Sequence, residues 1–276
     1  MADAIAFFHP GKKFPAFSVT GSRCELQCDH CRGRHLLGMR PLGAPEELEK
    51  AAGALASEGG NGLLLSGGCD RRGRVPLSPY LGTVRRIKER TGLLVNLHTG
   101  LLDEGTAAPL IGSGADAFSV DVLQDPRTIA GVLHLEASPR DYGRTVELLS
   151  PSGRLVPHVC VGLQSEEGES ATLDLISSID VAALIVLGLV PSKGTPMEEV
   201  GPQPERLVRF ITKAVERIDA PVLLGCMRPR GDRTVEERAI EAGVAGIVNP
   251  SSHAEAYALG RGLTIEHRET CCALHR

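Results

Sequence analysis

The chain has 276 residues, 42% of them hydrophobic and 23% charged, with a formal net charge of −4. That balance leaves no basic footprint for nucleic acid and no polybasic patch for a membrane surface, and no apolar run reaches the length of a bilayer span. Eight cysteines, with no secretory build in residues 1–10, point to a reducing, cytoplasmic compartment and to metal rather than disulfides.

In chain order, apolar runs predict strands near residues 16–20, 62–66, 93–98, 117–122, 155–162, 182–189, 221–226 and 246–249. Between them, amphipathic stretches predict helices at 46–57, 81–90, 142–149, 171–178, 204–217 and 234–242. Continuous apolar strands alternating with helices imply a parallel sheet. Eight such units over this length predict an α/β fold of the (β/α)8 TIM-barrel type. The alternative is an open doubly wound sheet, but no GxGxxG follows any strand. No linker rich in Gly, Ser and Pro divides the chain. One barrel domain is therefore expected over residues 1–261, with a cysteine-containing tail over 262–276 lying across the barrel mouth.

The first strand leads into Ser22-Arg23-Cys24-Glu25-Leu26-Gln27-Cys28-Asp29-His30-Cys31. Three thiolates this close suit a soft metal or an iron–sulfur cluster. They cannot fill all four sites of a cubane, so one iron would stay open. A structural zinc site is the rival, with His30 or His35 as fourth ligand, but zinc usually takes two paired spacings and no second CxxC follows.

Barrel chemistry gathers where strands end. There the chain carries Ser66-Gly67-Gly68-Cys69-Asp70, whose glycines allow close backbone approach. His98 ends the next strand. Ser119 and Asp121 alternate along the one after and share a face, as do His158, Cys160 and Gly162. A loop, Pro191-Ser192-Lys193-Gly194-Thr195-Pro196-Met197, follows the sixth strand. Cys226 and Arg228 share a face near the end of the seventh, and the tail adds Cys271-Cys272. Adjacent cysteines there are an oxidation liability unless ligated or catalytic.

The CxxxCxxC spacing of Cys24, Cys28 and Cys31 resembles the signature of the radical S-adenosylmethionine (SAM) superfamily. That resemblance implies a 4Fe-4S cluster on the three cysteines, with SAM chelating the open iron and cleaved to a 5′-deoxyadenosyl radical. It also implies SAM contacts from Ser66, Gly67 and Gly68, with His30, His98, Ser119 and Asp121 as further candidates. Cys69 stands where that family usually has Glu. Residues 191–197 resemble a PxxGTP segment of the biotin synthase-like branch. The strings at 66–70, 156–160 and 271–272 look like the two-protein lipoyl synthase of archaea and some bacteria. The long N-terminal auxiliary cysteine motif of the single-chain lipoyl synthase is missing.

From that branch follow a second, auxiliary iron–sulfur cluster on some of Cys69, Cys160, Cys226, Cys271 and Cys272, and sulfur insertion into an octanoyl chain. Its expected partners are an octanoylated carrier protein or peptide, a ferredoxin- or flavodoxin-type electron donor and a second radical SAM subunit. One rival is a radical SAM methyltransferase, mutase or dehydrogenase with one cluster. The other is a non-enzymatic zinc- or cluster-binding scaffold.

Overall fold

A computed structural model describes residues 4–275. Its strands are β1 (Ala4–Phe8), β2 (Ala16–Ser18), β3 (Arg40–Pro41), β4 (Gly62–Ser66), β5 (Leu94–His98), β6 (Ala117–Asp121), β7 (Leu155–Val161), β8 (Leu184–Gly188), β9 (Val222–Leu224), β10 (Gly246–Val248) and β11 (Thr264–Arg268). The helices are α1 (Pro45–Ser57), α2 (Leu81–Arg90), α3 (Glu104–Ile111), α4 (Pro126–Gly131), α5 (Pro139–Leu149), α6 (Glu166–Ser177), α7 (Pro204–Arg217), α8 (Arg233–Ala242) and α9 (Ser252–Gly260). No helix of the described residues is long and apolar enough to cross a membrane.

All eleven strands belong to one sheet, in the order β11-β1-β10-β9-β8-β7-β6-β5-β4-β2-β3, and every pairing is parallel. Strand alternation sends side chains to opposite faces, and the two faces build two cores. Phe7, Leu65, Val95, Leu97, Phe118, Val120, Val159, Val186 and Leu224 point outward and pack with helix residues such as Leu48, Val84, Val146, Leu173 and Ile211. Phe8, Phe14, Ala117, Val156, Ile185 and Leu223 form the inner cluster. Phe8 and Phe14 lie near the edges of the strand order, yet they meet side chains from its middle. Only a curled sheet allows that, so the architecture is the expected barrel type, in the form of a curled half-barrel.

The edges, β11 and β3, do not pair with each other. Side chains bridge the seam instead: Lys13 Nζ donates to Glu269 at 2.6 Å and Asn61 Nδ2 donates to the Glu269 carbonyl at 3.0 Å. The tail, expected to close the mouth, first adds β11 to the sheet. It then packs Cys272, Ala273 and Leu274 into the inner cluster, against the inward-facing side chains. Its last turn thus fills the barrel's interior.

Candidate functional site

The cysteine loop begins where β2 ends. Val19 N donates to Ser66 O, and Gly68 N donates to Thr20 Oγ1 at 2.7 Å, which lashes the loop to the end of β4. Gln27 and Arg32 take positive φ, 50° and 46°, a conformation uncommon outside glycine. Gln27 Nε2 holds this turn by donating to the Cys24 carbonyl at 2.6 Å. Other loops seat the segment from outside. Asp29 N donates to Val132 O, Ser192 N to His30 O and Met197 N to Asp29 O. The 191–197 loop therefore helps to fix the cysteines in place.

Cys24, Cys28 and Cys31 line one end of a cavity of about 1160 Å³, measured with its open mouth. Gly67, Gly68 and Cys69 line it from β4, and His98, Asp121, His158 and Cys160 from the central strands. Much of the remaining wall is leucine: Leu26, Leu101, Leu123, Leu133, Leu135 and Leu163.

The thiols are electrostatically unequal. Cys31 is pushed down to about 4, chiefly by its hydrogen bond with Cys28 and, against burial, by His30. The same bond and burial push Cys28 up. The thiolate is the form that binds metal, and the shared bond favours it at Cys31 over Cys28. His30 Nδ1 is buried without a hydrogen-bond partner. A Cβ on Gly68 would stand 2.1 Å from the Arg23 carbonyl oxygen and 2.7 Å from Cys24 Cα. Three thiols on one loop and an orphaned imidazole nitrogen beside them fit an iron–sulfur group with a polar ligand at its open side.

At the ends of the central strands, register assembles a second group, with Asp121 on its exposed side. Asp121 pairs across from His158, and His98 pairs across from Ser119, one inward position before Asp121. His98 Nε2 lies 3.1 Å from His158 Nδ1 and 3.7 Å from Asp121. His158 Nδ1 is 4.0 Å from Asp121. Burial would lower His98, but the Asp121 charge holds it above its ordinary value. Burial, reinforced by the charge on His98, drives His158 down to about 3. Burial opposes ionisation of Asp121 too, yet His98 and then His158 hold its carboxyl below the usual range.

Not every expected contact reaches the cavity. Ser66 is buried and donates to the His98 carbonyl at 3.1 Å. Ser119 is fully buried and donates to Asn96 Oδ1 at 3.0 Å. Neither lines the cavity. The five further cysteines are also divided. Cys69 sits by the triad, its carbonyl accepting from Glu25 N, and is pushed up to about 12 by burial and the Cys24 charge. Cys160 lines the cavity near Asp121, which with burial pushes its thiol up. Cys271 and Cys272 are hydrogen-bonded neighbours, near Cys226, in the inner layer. Cys271 is pulled down to about 7 by that bond, against burial, and Asn96 Nδ2 lies 3.6 Å from its sulfur. Arg228 turns away: its guanidinium donates to Gly225 O, Val248 O and Glu236.

His158 is the residue that strand reading placed on one face with Cys160 and Gly162 without giving it a role. Its partnership with His98 and Asp121 depends on the register of β5, β6 and β7, which one strand's own alternation cannot supply.

No protein-family model matches the sequence, and no curated protein matches it. Solved structures do. Methylornithine synthase (PylB) is 17% identical, with a TM-score of 0.64 over 89% of this chain and 72% of that one. HydG, the FeFe-hydrogenase maturase from Carboxydothermus hydrogenoformans, is 15% identical, with a TM-score of 0.62 over 89% of this chain and 59% of HydG. SuiB from Streptococcus suis, bound to S-adenosylmethionine, is 14% identical, with a TM-score of 0.57 over 79% of this chain and 51% of SuiB. The chain thus spans little more than half the length of the last two. The likeness is one of fold alone.

Proposed function

We propose that the chain is a radical SAM enzyme. The observation that carries this reading is the meeting, in one cavity, of the CxxxCxxC thiols with the Gly67-Gly68 turn inside a barrel of that fold. Cys24, Cys28 and Cys31 would hold three irons of a 4Fe-4S cluster. Bound there, such a cluster supplies the electron that cleaves SAM to a 5′-deoxyadenosyl radical. The chain's own part is positional. The β4 turn brings backbone close to the cysteine loop, and His30 offers an unpartnered nitrogen to a polar ligand. The leucine wall keeps water from a reactive carbon centre.

The finer reading is sulfur insertion into an octanoyl chain on a carrier protein or peptide, as in lipoyl synthesis. The leucine-lined cavity supports it, because an unbranched acyl chain needs an apolar wall and few polar anchors. Cys160, Cys271 and Cys272 in the inner layer, with the exposed Cys226 near the last two, support a sulfur-donating auxiliary cluster. Cys69 does not join that set, because it sits with the triad. A ferredoxin- or flavodoxin-type donor and a second radical SAM subunit complete the proposal. A cytoplasmic setting is proposed from eight free cysteines.

Anaerobic reconstitution tests the finer reading. The wild-type chain should bind iron and sulfide for two clusters. Cys271→Ala with Cys272→Ala should lose about one cluster's worth while SAM cleavage persists. A wild-type chain with a single cubane would end the sulfur-insertion reading and leave a one-cluster radical SAM enzyme.

One observation favours a second reading. Donor atoms of Cys28, His30 and Cys31 all lie within 4.8 Å of one another, close enough for a single zinc ion. A zinc scaffold would consume no SAM.

A further inference from the structure

We propose that His98, Asp121 and His158 form a metal site of their own, taking one borderline divalent first-row cation such as Zn2+ or Fe2+. The juxtaposition is specific. Two imidazole nitrogens and a carboxylate, from three adjacent strands, approach one another at 3.1, 3.7 and 4.0 Å. Metal–nitrogen bonds of about 2.1 Å place two ligand atoms about 3.0 Å apart at an octahedral centre and about 3.4 Å apart at a tetrahedral one. Against the tetrahedral value, the two rings at 3.1 Å are slightly closer, His98 and Asp121 at 3.7 Å slightly wider, and His158 and Asp121 at 4.0 Å wider by roughly half an ångström. Small side-chain rotations would bring all three donors to one point.

The ring-to-ring hydrogen bond and the His98–Asp121 ion pair account for two of the three approaches and leave His158 to Asp121, at 4.0 Å, without a proton of its own. His98 Nε2 faces both His158 Nδ1 and Asp121, and His158 Nδ1 faces the same carboxylate. A single proton cannot bridge all three; a dication can. The donor set also chooses its ion. Two imidazoles and one carboxylate suit zinc or ferrous iron, and leave positions open for other ligands. Those positions face the cavity that all three residues line, so an oxygen or nitrogen of a bound substrate could fill one. The donors sit on regular strands, which hold a ligand set more firmly than loops do.

This site is distinct from the cysteine loop in position and in chemistry, and it stands whether or not the radical SAM reading holds. The test uses the reconstituted 276-residue chain, dialysed anaerobically against Zn2+ and separately against Co2+. Elemental analysis should find about one zinc per chain beyond the iron. The difference spectrum between the Co2+-loaded and Co2+-free reconstituted protein should show ligand-field absorption without new thiolate charge-transfer bands, because the cobalt ligands are nitrogen and oxygen. His98→Ala and His158→Asn should lose that zinc, and Asp121→Asn should weaken it. Cys226→Ser with Cys271→Ser and Cys272→Ser should keep it. Iron content and thermal melting of each variant check that it has folded. Should a histidine variant fail to fold, the wild-type Co2+ difference spectrum decides alone. No stoichiometric zinc, zinc retained after His98→Ala, or new thiolate bands in the Co2+ difference spectrum would each overturn the proposal.

Discussion

At Gly68 the space for a side chain is already taken, by the Arg23 carbonyl oxygen at 2.1 Å and Cys24 Cα at 2.7 Å from where a Cβ would stand. Both obstacles are backbone, so neither can swing aside. Sequence reading gave this glycine a role in letting a ligand approach; the structure shows that the approaching group is the cysteine loop itself. Gly68→Ala should force the loop away from β4, at a cost of about 1–3 kcal/mol in stability, and lower the iron bound after reconstitution. Melting curves and iron analysis check this. A variant with wild-type melting and iron content would contradict it. The cysteine triad was legible at this scale because its three thiols are close in sequence. The His98, Asp121 and His158 group was not, because it is assembled across three strands.

Between elements, the turn after β9 and the helix α8 are joined by the buried pair Arg228 and Glu236. Sequence alternation set Arg228 on the face of Cys226, but backbone carbonyls at Gly225 and Val248 capture its guanidinium. Glu236 also accepts from Ser251, which caps α9. Burial opposes ionisation of Glu236, but hydrogen bonds from Ser251 and Arg228 hold its carboxyl below the ordinary value. Arginine stays charged throughout, so the carboxylate sets the pH dependence. A depressed carboxyl stabilises the fold above the ordinary carboxylate range, near pH 4.3, and that contribution fades as pH falls through the lower folded value. Glu236→Gln should therefore cost about 3–5 kcal/mol at neutral pH, with the gap to wild type closing in acid. Denaturant titrations at neutral and acid pH measure both parts. Equal stability at neutral pH would contradict the account.

Some elements escaped the sequence for related reasons. β11, with the sequence TIEHR, is an edge strand with no fully buried residue, so no apolar pattern marks it. α3 carries Pro109 inside it, and proline reads as a helix breaker. The core strands β4 to β10 were legible because both faces are covered, by helices outside and by the inner cluster within. Such strands read as continuous apolar runs.

For the whole molecule, the two-layered packing makes one end of the curled sheet a chemical site and plugs its interior with the tail. The expected barrel type agrees with that arrangement, and the three cysteines of the N-terminal motif line one cavity at its end. The position of the tail does not follow from sequence, because strand addition by β11 decides where Cys271 and Cys272 arrive. The central claim is that the cysteine loop equips this barrel to cleave SAM. The direct measurement is 5′-deoxyadenosine formed from SAM by the anaerobically reconstituted protein under a strong reductant. Wild type should form it, and the triple variant Cys24→Ala, Cys28→Ala, Cys31→Ala should form none while keeping the wild-type far-ultraviolet circular dichroism. Undiminished 5′-deoxyadenosine from the triple variant, or none from an iron-loaded wild type, would contradict the account.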